Sequence, residues 1–208
     1  MSSKSHTRSP KRRGIDPRQQ ASETEPAFDE QGRLLRARQI VSPNCDERPT
    51  GTTCSLLVVH SISLPPGQFG GPGVIDLFLN RLDLSAHPYY EGLHGLEVSS
   101  HFFVRRDGEL IQFVPCDLRA WHAGESRWHG RQRCNDFSIG VELEGSDAVA
   151  YTDHQYAQLA RLTQELRSHY PIEDVAGHCH IAPGRKTDPG PSFDWARYRS
   201  LIGIDIAG

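Results

Sequence analysis

A chain of 208 residues, of which 37% are hydrophobic, 8% aromatic and 24% charged, is long enough for one real core and too short for two domains of ordinary size. A net charge of -3 excludes a general nucleic-acid binder, and no run approaches the roughly 18 apolar residues of a membrane span. The five cysteines, Cys45, Cys54, Cys116, Cys134 and Cys179, include no C-x-x-C pair, which speaks against a disulfide framework or a cysteine zinc knuckle and for a reducing compartment, the cytoplasm.

Residues 1–33 are rich in Ser, Lys, Arg, Pro and Gln and nearly devoid of large apolar side chains. Such a segment cannot offset the entropy of ordering, so a disordered basic and polar tail is predicted there, with the folded domain over 34–208. The basic N-terminal stretch carries no apolar h-region, so no secretory signal is read in it. Ser55 to His60 is a continuous apolar run that ends on a histidine, as expected of a strand buried on both faces at the centre of a sheet. The Pro- and Gly-dense stretch Leu64 to Gly73 must be a loop, and Val74 to Leu82 has helical spacing. Ser99 to Val104 and Leu110 to Val114, joined through Asp107-Gly108, predict a β-hairpin.

Ser138 to Leu143 reads as another short strand. Thr152 to Tyr170 places Tyr156, Leu159, Leu162 and Leu166 on one helical face behind a Thr152 cap. After Val175 to His178 comes a Pro/Gly loop through Pro191, then a closing helix over Phe193 to Ile202. Mixed strands with flanking helices make a single α/β (α+β) domain around a central mixed β-sheet.

Candidate chemistry gathers at four places. His60 stands at the end of its strand before a glycine-rich loop, where a side chain can project into a cleft. Gly177 to Pro191 concentrates His178, Cys179, His180, Lys186 and Asp188 in a segment stiffened by three prolines. Catalytic zinc takes about three protein ligands from His, Asp or Glu, so His60, one of the two loop histidines and Asp188 would complete a site; the competing reading is a Pro-rich turn with its polar groups in solvent. Alternation puts Glu142 and Glu144 on one face of their strand, suited to general base and acid work beside a metal-activated water, or simply to pairing with Arg or Lys. Lys186, two residues before Asp188, is positioned to stabilise an oxyanion, whereas Arg185 is expected to face solvent. Trp121 and His122 would give the cleft an aromatic wall with a polar tip, or serve in packing.

Four ordered stretches, Leu57-Val58-Val59-His60 with Ser63 to Gly71, Ala120 to Gly124, Asn135 to Gly145, and Gly177-His178 to Pro191, together resemble the AmpD family, the 1,6-anhydro-N-acetylmuramyl-L-alanine amidases. The likeness runs from about Leu34 to Ile202. It implies a fold like that of the peptidoglycan-recognition proteins and phage T7 lysozyme. It also implies cleavage of the amide between anhydro-N-acetylmuramic acid and L-alanine of muropeptides in cell-wall recycling. By motif position it makes His60, His178 and Asp188 the ligands of one Zn2+, with Glu142 the proton acceptor and Lys186 the transition-state stabiliser. His180 falls where relatives commonly carry a non-ligand, and Arg133 looks like a substrate contact. Asp188 stands where other amidases of this fold can have a cysteine, a harder ligand set than one with thiolate. The expected partner is a small muropeptide, bound by a monomer with no nucleic acid and no membrane involved. Two other readings compete: a non-catalytic muropeptide-binding module, which would typically lack a full ligand set, and a periplasmic amidase on intact murein, which would need an export signal.

Overall fold

The structure is a computed structural model that describes residues 27–203. The tail expected over residues 1–26 lies outside them. The strands are β1 (Arg38–Gln39), β2 (Cys45–Glu47), β3 (Leu56–Ile62), β4 (Phe102–Val104), β5 (Leu110–Gln112), β6 (Leu118–Ala120), β7 (Arg127–Trp128), β8 (Arg131–Gln132), β9 (Ser138–Glu144) and β10 (Asp174–Gly177). The helices are α1 (Gly73–Phe78), α2 (Asp153–His169), α3 (His178–Ile181) and α4 (Trp195–Leu201), with short 3-10 turns at Leu84–Ala86, Pro88–Leu93 and Cys134–Asp136.

Six strands form a mixed sheet in the order β1-β5-β4-β9-β3-β10, parallel throughout except for the β4–β5 hairpin. The apolar run of β3 lies between β9 and β10, as a strand buried on both faces must. Period-2 alternation then sorts its side chains. Leu57 and Val59 join Ile139, Val141 and Leu143 of β9 in the core under α2, whereas Leu56 and Val58 pack on the opposite face with Ala123, Phe137 and Ile181. The register pairs His60 with Glu142 and Val58 with Gly140, so β3 and β9 carry their polar residues to the same face, opposite α2.

Helix α2 supplies the other half of the main core through Tyr156, Leu159, Leu162 and Leu166. Its start is fixed by a capping box: the Thr152 hydroxyl accepts from the Gln155 N–H, and the Gln155 amide oxygen accepts from the Thr152 N–H. Loss of such a cap costs about 1 kcal/mol.

The boundaries depart from expectation in three places. Residues 27–33, assigned to the tail, are folded: Phe28 is buried, bridges to Leu34, stacks on His169 and meets the Tyr170 ring edge-on at the end of α2. The aromatic side chain fills the slot beside the helix terminus, and the Gly32 carbonyl accepts from the Cys116 N–H and the Gln112 side-chain amide, so packing and hydrogen bonds together dock the segment. The helix expected to reach Leu82 stops at Phe78, and Asn80 then turns the chain with φ 56°. The segment after Gly177, expected to be loop, begins with the helical turn α3, in which the Ala182 N–H donates to the His178 carbonyl.

Candidate metal and catalytic site

His60 and Glu142 reach the same face because they are register partners on adjacent parallel strands, near the strand ends where open α/β sheets build their sites. Gly177 ends β10 beside Val59, so His178, the first residue of α3, enters beside His60. Two bonds hold the loop bearing Asp188: the Cys179 N–H donates to the Asp188 carbonyl at 2.9 Å, and the buried Tyr151 hydroxyl donates to the Pro189 carbonyl at 2.7 Å.

The three side chains converge. His60 Nδ1 lies 3.0 Å from His178 Nδ1, and Asp188 Oδ2 lies 3.2 Å from the first and 3.0 Å from the second. His178 Nε2 is 3.1 Å from the carbonyl of Ala123, which can only accept, so the ring proton is assigned to Nε2 and the Nδ1 lone pair faces the cluster. A single proton on His60 could bridge to one of its two neighbours only, whereas a metal cation takes all three lone pairs. Ligand bonds of about 2.0–2.2 Å in a tetrahedral site place ligand atoms roughly 3.3 Å apart, close to the spacing found here. The donor set therefore fits a zinc-sized ion of mixed nitrogen and oxygen preference, and these three are the group among the described residues that could hold one.

His180 is turned away: its Nδ1 accepts from the Gly177 N–H at 3.0 Å and its ring packs on Trp195. Of the two loop histidines, the fold brings His178 to the cluster.

Burial is the largest influence on His60 and pushes its imidazole down to about 4, against the contact with Asp188. Burial also holds His101 and His122 well below the ordinary histidine value, so this layer is neutral near pH 7. Burial alone would raise the Asp188 carboxyl, but hydrogen bonding to the imidazoles of His178 and His60 outweighs it and keeps the group below its usual range. Glu142 is displaced the other way. Burial raises it well above an ordinary carboxyl, the negative Asp188 adds to this, and Lys186 opposes it.

Glu142 Oε2 is buried and has no hydrogen-bond partner among the described residues, an arrangement costly enough to need a reason. Glu144, on the same strand face, is fully engaged. Its two oxygens accept from the N–H groups of Gly70 and Arg106, bracing the Pro/Gly loop against the hairpin. Of the two carboxylates, Glu144 is the one that meets the expected pairing with an arginine, lying 3.8 Å from Arg105 Nη1.

Glu142, His178 and Asp188 line a cleft of about 520 Å³, whose other walls include Tyr89, Leu93 and Trp121. Lys186 lines it as well. Trp121 is anchored through Nε1–H to Asp46 Oδ1 at 3.2 Å. Arg133 is exposed, pairs with Asp136 at 3.2 Å, and lines an adjoining groove with Arg127, Pro183 and Arg185 rather than the cleft itself. His122 borders the cleft but turns both ring nitrogens inward, to His60 and Ser138.

Sequence reasoning missed two contributors. Arg185 is exposed, as expected, but its guanidinium also donates to the carbonyls of Ala123 and Glu125, and so it borders both cavities. Asn135 Oδ1 accepts from the N–H groups of His122 and Ala123 at 3.2 and 2.8 Å and fixes the backbone that follows Trp121. Asn135 lay within a recognised motif, which was the available signal; nothing in the local sequence pointed to the reach of Arg185.

Residues 51–191 match the Amidase_2 family, described as N-acetylmuramoyl-L-alanine amidase. The 1,6-anhydro-N-acetylmuramyl-L-alanine amidase AmpD of Citrobacter freundii is 58% identical over 175 residues, 83% of this chain and 94% of that protein. Among solved structures, a selenomethionine derivative of AmpD is 59% identical and superposes with a TM-score of 0.82 over 84% of this chain and 98% of its own. The amidase AmiD from E. coli, solved with the substrate anhydro-N-acetylmuramic acid-L-Ala-D-gamma-Glu-L-Lys, is 28% identical with a TM-score of 0.54, over 87% of this chain and 67% of its own. Family match, identity over nearly the whole of a relative and a shared fold agree: the chain belongs to the N-acetylmuramoyl-L-alanine amidases, in the AmpD family of 1,6-anhydro-N-acetylmuramyl-L-alanine amidases.

Proposed function

We propose that this amidase is zinc-dependent and hydrolyses the amide between the lactyl group of 1,6-anhydro-N-acetylmuramic acid and L-alanine, acting as a monomer on small muropeptides in cytoplasmic cell-wall recycling. The observation that carries the reading is the convergence of three ligand atoms within 3.2 Å beside a cleft holding a buried carboxylate oxygen that lacks a partner among the described residues. The names of the relatives, and the muropeptide held by AmiD, support the substrate. Five cysteines, all free, support a reducing compartment.

His60, His178 and Asp188 would hold the metal, which when bound supplies Lewis acidity and makes a water acidic enough to ionise near pH 7. Glu142 accepts the proton of the attacking water at its buried oxygen and returns it to the L-alanine nitrogen as the amide breaks. Its raised affinity for protons suits the second half of that task, and a nearby cation brings it back toward the ionised form for the first. The Lys186 ammonium stabilises the charge that develops on the scissile carbonyl oxygen. Trp121 flanks the sugar or peptide, and Arg133, in the adjoining groove, meets stem-peptide carboxylates.

The test is incubation of the purified chain with anhydro-muramyl tripeptide, with and without a chelator, followed by mass spectrometry, with intact murein as a parallel substrate. Chelator-sensitive release of free peptide from the muropeptide is expected. Binding without release while zinc is present would replace this reading with a recognition module, and preference for intact murein would move the site of action to the wall.

A further inference from the structure

We propose that His122, backed by Ser138, is a positioning residue that keeps the His60 ring proton on Nε2, so that the Nδ1 lone pair of His60 is directed at the metal pocket. This rests on the zinc reading above.

One end of this hydrogen-bond chain is a backbone carbonyl, which can only accept. The Ser138 hydroxyl lies 2.6 Å from the Cys134 carbonyl, so its one proton points there, and its oxygen is left as an acceptor. His122 Nε2, 3.2 Å from that oxygen, must then be the protonated nitrogen, which leaves a lone pair on His122 Nδ1. His60 Nε2 lies 2.9 Å from His122 Nδ1 and therefore donates to it. Each step follows from the one before, and the direction of the whole chain is set by one backbone carbonyl. The lock decides which nitrogen carries the proton and leaves the charge unchanged.

His178 and His60 are thus held by different means. His178 donates directly to a backbone carbonyl, whose role cannot change, whereas His60 donates to a second imidazole, which could present either nitrogen unless something fixes it. Ser138 is that fixing group. The backbone is shaped to admit the ring: a Cβ on Gly140 would lie 2.6 Å from His122 Cγ and 2.7 Å from Nδ1, so only glycine lets His122 lie against β9. Ser138, Gly140 and Glu142 follow one another along one face of the strand, serving tautomer, space and proton transfer in turn. With both ring nitrogens occupied, His122 has no polar ring atom left for a substrate.

The full-length zinc-loaded protein gives a readout that needs no mutation: long-range proton–nitrogen NMR of the histidine rings. The expected spectrum shows His122 and His60 both protonated at Nε2, and His122 protonated at Nδ1 would overturn the proposal. A second readout is zinc affinity by competition with a chromophoric chelator, alongside the visible spectrum of the cobalt-substituted protein. His122→Leu, which removes the acceptor, should weaken zinc about 10- to 100-fold and alter the cobalt bands. His122→Asn, whose Oδ1 can take the place of Nδ1, should restore affinity to within about threefold, since it returns the acceptor to His60. A folded Leu variant with wild-type affinity and spectrum, or an Asn variant as weak as Leu, would sink the inference while leaving the zinc reading intact. Failure of the wild-type chain to bind zinc would sink the zinc reading, and this inference with it.

Discussion

The two faces of β9 run side by side and are built by opposite rules. Toward α2, Ile139, Val141 and Leu143 are buried among many apolar neighbours, and no single contact decides the outcome. On the opposite face, Ser138, Gly140, Glu142 and Glu144 each meet a particular requirement: a directed hydroxyl, an absent Cβ, a carboxylate oxygen with no partner among the described residues, and a brace between two backbone N–H groups. One face contributes stability that is shared and gradual. The other holds polar groups in an apolar interior, which costs stability and supplies chemistry.

That contrast can be broken most sharply at Glu142. Glu142→Gln should keep zinc and fold while lowering kcat by about 10²- to 10⁴-fold, as read by steady-state kinetics with metal analysis; loss of zinc instead would make Glu142 a ligand. Across the strand, Leu143→Ala should do the reverse. A cost of about 2–5 kcal/mol in denaturant unfolding, with kcat per folded molecule unchanged, is the expected result, and a kinetic defect without a stability defect would erase the distinction between the faces.

The pH dependence of the metal-free protein sharpens it further. His60 titrates at about 4 in the folded chain and near 6.5 when unfolded, so the unfolded state binds more protons between those values. Stability is then fully present above pH 6.5 and declines as pH falls toward 4, by on the order of 3 kcal/mol for this residue, with His101 and His122 acting in the same direction. Glu142 has the opposite sign. Its folded value is raised, so its contribution is lost as pH climbs above the ordinary carboxylate range, and metal-free Glu142→Gln should melt at a higher temperature than wild type at pH 7. Thermal unfolding across pH checks both; a flat profile below pH 6.5 would mean that the imidazole layer is hydrated rather than buried. The smallest effect is expected at Arg133, exposed and paired with Asp136: Arg133→Ala should raise KM by about threefold to tenfold with kcat nearly unchanged, and a kcat defect would place it at the reacting bond.

What could be read in the sequence follows the same division. Features with a period or a local signature were legible: the buried run of β3, the capped α2, the Asp-Gly hairpin, and the alternation that sets Glu142 beside Glu144. Strands β1, β2, β6, β7 and β8 were not, since two or three residues carry no periodicity. Phe28 was hidden because its partners, His169 and Tyr170, lie at the far end of the chain. At the site, residue types announced a metal, and motif position separated His178 from His180. The work of His122 was invisible because its donor, His60, stands 62 residues away and its meaning depends on which nitrogen faces which.

The docking of Phe28 has a practical consequence. It fastens the start of the described chain into the core under α2, on the side of the sheet away from the cleft. In a chain shortened to begin at Ala27, a handle, fluorophore or tether fused there would start on the side of the sheet away from the cleft, so that an immobilised preparation of it would keep its mouth open to the solution.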